Sequence, residues 1–248
     1  MNKGSTEALE ARVKTYWTQR AHDFGAVRKN ELGNAMRTRW QEELIRHFPA
    51  ARPLEILDVG TGTGFFAILL AEAGYCVQGI DLTPAMLDEG TALAAERGLT
   101  VTFRQMDAQK LLYDDASFDV IISRNLTWTL PDPAAAYAEW HRVLRPDGIL
   151  LNYDANYGDY VRSTSQQNLS VPADSPYGHV GITRELAQES DDITLAMEIS
   201  HEKRPEWDLK LLEKIGFRNC GADLQTGQRI LGELDLKAAP MFGIFAIK

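Results

Sequence analysis

The chain has 248 residues, with 26 basic and 35 acidic side chains and a formal net charge of −9 at pH 7. At about 150 residues per domain, this length corresponds to one or two domains. The content of 44% hydrophobic and 25% charged residues is that of a globular chain rather than a disordered one. The acid excess disfavours a nucleic-acid partner, because binding to phosphates needs clustered Lys and Arg.

The sequence contains no run of about 18 apolar residues, the length that predicts a membrane-spanning helix. Its polar N-terminus lacks the apolar stretch of a secretion signal. Two cysteines, Cys76 and Cys220, are too few for a disulfide framework or a four-ligand zinc site. We therefore expect a cytoplasmic protein without membrane contact, with two buried thiols and no metal site. We make no prediction of its oligomeric state.

The N-terminal region, residues 1–52, is predicted to be a helical cover. Apolar side chains recur at helical spacing in two groups, at 9–24 and 32–48. Gly25 and Gly33 are expected to bracket the break between two helices, and prolines end the second helix.

After this region the pattern changes to alternating strands and helices. The alternation predicts an α/β fold with a parallel sheet and right-handed crossovers. Because the runs are apolar on both faces, we expect helices to cover both faces of the sheet. A turn at Pro146-Asp147-Gly148 is expected to precede the fifth strand. Five short apolar runs predict the strands, at residues 54–59, 75–80, 101–104, 118–123 and 149–154.

Residues 155–205 interrupt this alternation. The segment is rich in Ser, Asn, Tyr, Gly and Pro, and it is too long for a plain loop in a compact domain. We predict that it is a cap insertion that encloses a substrate. One more helix and two apolar runs, at 217–224 and 241–247, then return to the core, which we assign to 53–154 and 206–248.

Three alternating glycines, Gly60, Gly62 and Gly64, follow the first strand and precede a helix. Glycine lets the backbone turn tightly and lets a ligand approach closely. The start of the helix presents free N–H groups to an anion or a carboxylate. A dinucleotide site also fits, since Gly62, Gly64 and Ala67 match its glycine register and Asp81 follows at a workable distance. The glycines alone therefore leave the ligand open.

Five segments resemble, in order and approximate spacing, the motifs of class I S-adenosylmethionine (SAM)-dependent methyltransferases. Similarity extends over residues 54–154, and the most similar subgroup is the small-molecule methyltransferases related to the ubiquinone/menaquinone-pathway enzymes. The five segments are the glycine motif Asp58–Gly64, the acidic end of strand two Gly79-Ile80-Asp81, the adenine-contacting Met106-Asp107-Ala108, the fourth strand Phe118–Ser123, and Arg142–Gly148 before strand five.

The resemblance implies a Rossmann-like, seven-stranded, mostly parallel sheet with an antiparallel last strand, extended here by the N-terminal helices and the cap. It also implies SAM as cofactor and S-adenosylhomocysteine (SAH) as product. A terminal pair of strands fits this family better than a nicotinamide enzyme, which usually continues with further βα units. The residues predicted to bind the cofactor are Asp58, Gly60, Thr61, Gly62, Gly64, Asp81, Leu82, Met86, Asp107, Ala108, Arg124 and Tyr16.

Alternatives remain open for three of the acids. Asp58 either contacts the cofactor or orders the glycine loop by accepting backbone hydrogen bonds. Asp81 either holds the ribose or only places a charge at a helix start. Asp107 either contacts adenine or belongs to a surface turn. For Tyr16 we expect a place over the cofactor, where an aromatic ring stabilises the positive sulfonium.

Methyl transfer from a sulfonium is an in-line displacement, so the protein mainly aligns donor and acceptor. A general base is needed only if the acceptor is protonated at the working pH. The candidate bases are His179, Asp154 and His22.

The candidate substrate residues are Asn125, Trp128 and Tyr157, which follow strands four and five, where ligands bind in open α/β sheets. Core packing is the alternative for Trp128, and anchoring of a loop is the alternative for Tyr157.

The leading hypothesis is a SAM-dependent methyltransferase that acts on a small molecule or a small peptide. The alternatives are a non-catalytic SAM-binding module and an NAD-dependent oxidoreductase. The residues after Ser123 are Arg124-Asn125-Leu126 instead of the Asn/Asp-Pro-Pro-aromatic signature of many amino-group methyltransferases. The acceptor atom is therefore not predicted.

Overall fold

The computed structural model describes residues 3–50, 53–164, 181–237 and 239–248. Within these ranges the chain forms nine α-helices and seven β-strands. The helices are α1 (Lys3–Leu32), α2 (Ala35–Ile45), α3 (Phe65–Glu72), α4 (Pro84–Glu96), α5 (Pro133–Val143), α6 (Tyr157–Thr164), α7 (Arg184–Ala196), α8 (Glu206–Ile215) and α9 (Thr226–Ile230). The strands are β1 (Glu55–Val59), β2 (Cys76–Asp81), β3 (Thr102–Gln105), β4 (Phe118–Arg124), β5 (Leu144–Asp154), β6 (Arg218–Asp223) and β7 (Phe242–Ile247).

The seven strands form one sheet in the order β3-β2-β1-β4-β5-β7-β6. Strand β7 is antiparallel to both of its neighbours, and the other neighbouring pairs are parallel. Val59 at the end of β1 pairs with Ile80 of β2 and with Ser123 of β4. The carboxyl ends of these strands therefore lie level at one edge of the sheet. The predicted fold, a mostly parallel Rossmann-like sheet with an antiparallel last strand, is confirmed.

The break between the first two helices lies at Gly33 and Asn34. The Asn34 side chain accepts a hydrogen bond from the Met36 N–H and so caps α2. Gly25, which we expected to help mark this break, lies inside α1, so that expectation is wrong. A Cβ atom at Gly25 would lie only 3.0 Å from Glu89 Oε2 of α4. Gly25 thus lies at the contact between α1 and α4, where the flexible side chain of Glu89 is its nearest neighbour.

Strand β5 begins earlier than predicted. Leu144 pairs with Phe118, whereas the next pair joins Ile149 to Val120, so residues 145–148 bulge out of the ladder. Pro146 lacks an N–H to donate, and Asp147 has a positive φ of 62°. The predicted turn is thus an irregularity within the strand.

Hydrophobic side chains pack on both faces of the sheet, and a third cluster joins α1 to the cap. In this third cluster, Leu9, Val13 and Tyr16 of α1 contact Ile193 and Met197 in and after α7. An ion pair between Arg12 and Glu189, with an N···O distance of 2.9 Å, supports the same contact. Helices α6 and α7 occupy part of the predicted cap, while residues 165–180 lie outside the described residues. The division into cover, core and cap stays a prediction.

The expectation that both cysteines are buried is wrong. Cys76 is exposed and Cys220 is half-buried. Cys76 is the first residue of β2, at the edge of the sheet opposite the glycine loop, where its Sγ lies 3.3 Å from Glu55 Oε2. None of the helices in the described part of the chain combines the length and the apolar character needed to cross a bilayer.

Two Leu→Ala substitutions test how the core supports the sheet. Leu57 of β1 is fully buried, whereas the side chain of Leu112 is 75% exposed. We expect Leu57→Ala to lower the free energy of unfolding by about 2–5 kcal/mol, because it leaves a cavity in the core. Leu112→Ala is the control and should change it by less than about 0.5 kcal/mol. Urea denaturation at constant m-value measures both. Equal effects of the two substitutions would contradict the packing described here.

Candidate functional site

A cavity of about 600 Å³ lies at the carboxyl ends of the parallel strands. Its floor includes residues that follow β1, β2, β3 and β4, the place where open α/β sheets bind ligands. Helix α1 and the cap helices α6 and α7 form the opposite wall, and residues 233–237 before β7 complete the lining.

The glycine loop needs its glycines for conformation and for space. Gly60, Gly62 and Gly64 all have positive φ angles, between 54° and 81°. A Cβ atom on Gly60 would lie 2.7 Å from Leu126 Cδ1, and one on Gly64 would lie 2.6 Å from Phe103 Cζ. Gly60, Thr61 and Gly62 are among the described residues that line the cavity, whereas Gly64 is not. We therefore assign Gly64 to the packing of the loop against β3.

Asp58 is buried beneath this loop and also lines the cavity. Its Oδ2 accepts hydrogen bonds from Thr61 Oγ1 at 2.6 Å and from the Ala67 N–H at 3.1 Å. Burial raises the pKa of Asp58 to about 7, and these two hydrogen bonds oppose the shift. The geometry favours the loop-ordering alternative for Asp58, because the carboxylate ties the loop to the start of α3.

Asp81, the last residue of β2, connects the glycine loop to α4. Its Oδ2 accepts from the Gly62 N–H at 3.0 Å, and its Oδ1 accepts from the Thr83 N–H at 2.8 Å. Burial raises its pKa, while the hydrogen bonds from the backbone of Thr83 and Gly62 oppose the shift. The predicted neighbours Leu82 and Met86 line the same part of the cavity.

The end of the cavity beyond β3 is acidic. Asp107 Oδ1 accepts from the Gln109 N–H at 2.8 Å, and the Ala108 carbonyl accepts from Trp140 Nε1 at 3.1 Å. Glu10 of α1 lines this end too, and burial, with a smaller contribution from the charge of Asp107, raises the pKa of Glu10. The sequence analysis did not identify Glu10, because only the folded path of α1 brings it opposite β3.

Arg124, the last residue of β4, lies beside the glycine loop and lines the cavity. Its guanidinium lies 4.4 Å from the ring centre of Trp40, and its Nη2 is 2.8 Å from Glu31 Oε1. Arg28 pairs with the same carboxylate. Burial would raise the pKa of Glu31, but Arg124 and Arg28 outweigh burial and lower the pKa to about 2. A buried, ionised cluster therefore flanks the glycine loop.

Of the seven α1 residues in the described cavity lining, four recur at four-residue intervals: Tyr16, Arg20, Phe24 and Arg28. The sequence analysis identified only Tyr16, whose ring makes an edge contact with Trp17 at 5.1 Å. The alternation of aromatic and basic residues at helical spacing is the signal that would have found Arg20 and Arg28.

The predicted substrate residues form one contiguous wall. The Tyr157 hydroxyl lies 3.1 Å from Asn125 Oδ1, and Trp128 Nε1 donates to the Asn125 carbonyl at 3.0 Å. The rings of Trp128 and Tyr157 are 4.9 Å apart, centre to centre. All three residues line the cavity. On the cap side, Tyr160 and Asp191 line it as well, although no pattern in the sequence distinguished them.

The structure does not bring the described candidate bases into the cavity. The side chain of His22 is 87% exposed on α1 and pairs with Glu89. Asp154 is fully buried, is not part of the cavity wall that the described residues form, and hydrogen-bonds to Thr127, Trp128, Ala155 and Arg204. His179 lies outside the described residues. Asp154 and His22 are therefore poorly placed to accept a proton from a ligand in this cavity.

Residues 57–152 match the family described as a methyltransferase domain. The ubiquinone/menaquinone biosynthesis C-methyltransferase of Bdellovibrio bacteriovorus is 36% identical over 124 residues, which are 49% of this chain and 53% of that protein. The chain spans about half the length of the curated relatives it matches. The domain match confirms, over residues 57–152, the resemblance inferred from the motifs.

Solved structures show the same fold. Phosphoethanolamine N-methyltransferase 2 of Haemonchus contortus, in complex with SAM, aligns with a TM-score of 0.61 and 17% identity over 84% of this chain and 52% of that chain. A SAM-dependent methyltransferase of Aquifex aeolicus aligns with a TM-score of 0.55 and 19% identity over 88% and 96% of the two chains.

The buried Asp58 carboxyl should make stability depend on pH. The folded chain holds this proton up to about pH 7, whereas the ordinary pKa is 3.8. The folded state therefore binds more protons between these values, and stability falls as the pH rises through this window. Asp58→Asn cannot titrate. The unfolding free energy of the wild type should fall between pH 5 and pH 8. In Asp58→Asn we expect this fall to be smaller, by on the order of 2 kcal/mol.

Urea denaturation at the two pH values measures this difference. Asp114→Asn, at an exposed position, is the matched control and should keep the wild-type pH dependence. The same pH dependence in Asp58→Asn and the wild type would contradict a raised pKa of Asp58.

Proposed function

We propose that this chain, whose residues 57–152 belong to the methyltransferase domain family, transfers a methyl group from SAM to a small-molecule acceptor. The observation that carries the proposal is the meeting of the glycine loop, Asp81 and Asp107 in one cavity. SAM, when bound, supplies an electrophilic methyl group on a sulfonium. The chain's own residues then have to bind and align two reactants.

The cavity fits this cofactor residue by residue. Gly60 and Gly62 line the cavity, so a ligand can lie close to their backbone, and N–H groups near the start of α3 suit a carboxylate. We propose that Asp81 holds the ribose hydroxyls through its carboxylate oxygens. Asp107 and Ala108 would face adenine, with Leu82 and Met86 as apolar contacts. Thr61, Arg124 and Tyr16 complete the proposed cofactor set, in which Asp58 supports the loop.

The acceptor would occupy the half of the cavity between Trp128, Tyr157 and the cap helices. Its wall includes the aromatic rings of Trp128, Tyr157 and Tyr160, which suit a small molecule with an apolar or aromatic body. A small peptide is the second possibility for the same space. Because the described candidate bases lie outside the cavity, we propose that catalysis rests on alignment. His179 remains a proposed base for a protonated acceptor. The negative net charge disfavours nucleic acid, and we propose a cytoplasmic location.

Two observations weigh against the alternative functions. In a dinucleotide site the second glycine lets the backbone approach a pyrophosphate, but here Phe103 occupies the space beside Gly64. A non-catalytic SAM-binding module would not need the half of the cavity that Trp128 and Tyr157 line, which lies beyond the proposed cofactor residues. Both observations support the transferase.

Calorimetric titration with SAH tests the proposal. We expect the wild-type chain to bind SAH and Asp81→Asn to bind it about 10- to 100-fold more weakly, because a charged acceptor for two hydroxyls is lost. Asp114→Asn is the matched control and should bind like the wild type. Asn keeps only one of the two oxygens that accept from the Gly62 and Thr83 N–H groups, so a thermal melt checks that the fold is retained.

Absence of binding of SAM and SAH at millimolar concentration would contradict the proposal. Thermal stabilisation by NAD and not by SAM would instead favour the oxidoreductase. Binding of SAH without methyl transfer to any member of a panel of quinols, phenols and amines would favour the non-catalytic module.

A further inference from the structure

Both ends of the cap meet at one buried ion pair. Asp154 is the last residue before the cap, and Arg204 stands at its far end, just before α8. Arg204 Nη1 lies 3.0 Å from Asp154 Oδ2, and the side chains are 1% and 0% exposed. Two residues 50 positions apart in the sequence are thus joined where the cap leaves and rejoins the core.

Arg204 is held firmly from the side of α8. Its Nε and Nη2 each donate to one oxygen of Asp208, both at 2.9 Å, in a two-pronged contact. The Tyr137 hydroxyl of α5 donates to Asp208 Oδ1 at 2.8 Å. The guanidinium therefore has one defined orientation, fixed by α8 and α5, in which its remaining donors point toward Asp154 and Thr127.

Asp154 connects Arg204 to the loop after β4 by hydrogen bonds. Its Oδ2 accepts from the Trp128 N–H at 3.1 Å and from the Thr127 hydroxyl. Thr127 Oγ1 in turn accepts from Arg204 Nη2 at 2.7 Å. The Asp154 Oδ1 accepts from the Ala155 N–H at 2.9 Å, at the first residue of the cap. One carboxylate thus holds both the loop that carries Trp128 and the backbone that leads to Tyr157.

These groups lie behind the acceptor wall. Trp128 and Tyr157 face the cavity, whereas Asp154, Thr127 and Arg204 are absent from the described cavity lining. We propose that Asp154 and Arg204 are positioning residues that set the place of Trp128 and Tyr157 against the acceptor. The inference rests on the proposed function, because that function assigns the acceptor to the half of the cavity that Trp128 and Tyr157 line.

A buried ion pair suits this task. Its desolvation cost largely cancels its attraction, so it adds little stability while permitting few arrangements of its neighbours. Methyl transfer depends on an in-line approach, and a misplacement of about 1 Å can lower a rate by about 100-fold. Most of the proposed cofactor residues lie at or after the ends of β1, β2 and β3, whereas the ion pair joins the end of β5 to the start of α8, so the pair should affect the acceptor wall selectively.

The test uses the full chain labelled with fluorotryptophan. The chain carries five tryptophans. ¹⁹F NMR reports each ring, and Trp128→Phe assigns the Trp128 signal. In Arg204→Lys, which keeps the charge but loses the two-pronged contact, we expect the Trp128 signal to shift by more than its linewidth. The signal of Trp40, a buried ring that packs against Phe66 and Arg124, should stay in place. The dissociation constant for SAH should change by less than about threefold.

Thr127→Val, which removes one hydroxyl at nearly constant shape, gives the same readout should Arg204→Lys not fold. Arg142→Lys is the matched control, since Arg142 also pairs with carboxylates but lies outside the described cavity lining. It should leave the Trp128 signal unchanged. An unshifted Trp128 signal in both Arg204→Lys and Thr127→Val overturns the positioning role. A shift of the Trp128 signal accompanied by a large loss of SAH affinity also overturns it, because the ion pair would then support the whole fold. Failure of the wild type to bind SAH contradicts the proposed function separately.

Discussion

The level ending of the parallel strands is the constraint on which the site depends. Because Val59 pairs with Ile80 on one side and Ser123 on the other, the residues that follow β1, β2 and β4 emerge at one edge. A loop, a carboxylate and a guanidinium from distant parts of the sequence therefore meet around one cavity. Helix α1 and the cap helices α6 and α7 enclose that edge from the opposite side.

Local patterns predicted the parts of the structure that local chemistry decides. The glycine loop, the Asp81 that follows a strand, and the alternation of strands and helices are each encoded within short segments. The antiparallel last strand came from the resemblance to a family and not from periodicity. The placement of Asn125, Trp128 and Tyr157 on one wall followed from the rule that strand ends converge, since that rule is a property of the sheet.

The remaining features depend on contacts between distant segments, which no local pattern reports. Asp154 looks like a base at a strand end until the position of Arg204, 50 residues later, shows that its oxygens are engaged. His22 lies on the exposed face of α1, although the same helix lines the cavity with other residues. Gly25 has the character of a helix breaker, but it lies inside α1, at the contact with α4.

The joining of both cap ends at one ion pair has a consequence for how this architecture can vary. The entropy of closing a loop grows only slowly with its length, by about 0.6 kcal/mol for each doubling. A segment fixed at its two ends can therefore gain or lose residues with little strain on the sheet. The half of the cavity proposed to receive the acceptor can thus diverge in shape and chemistry while the half proposed to bind the cofactor stays unchanged.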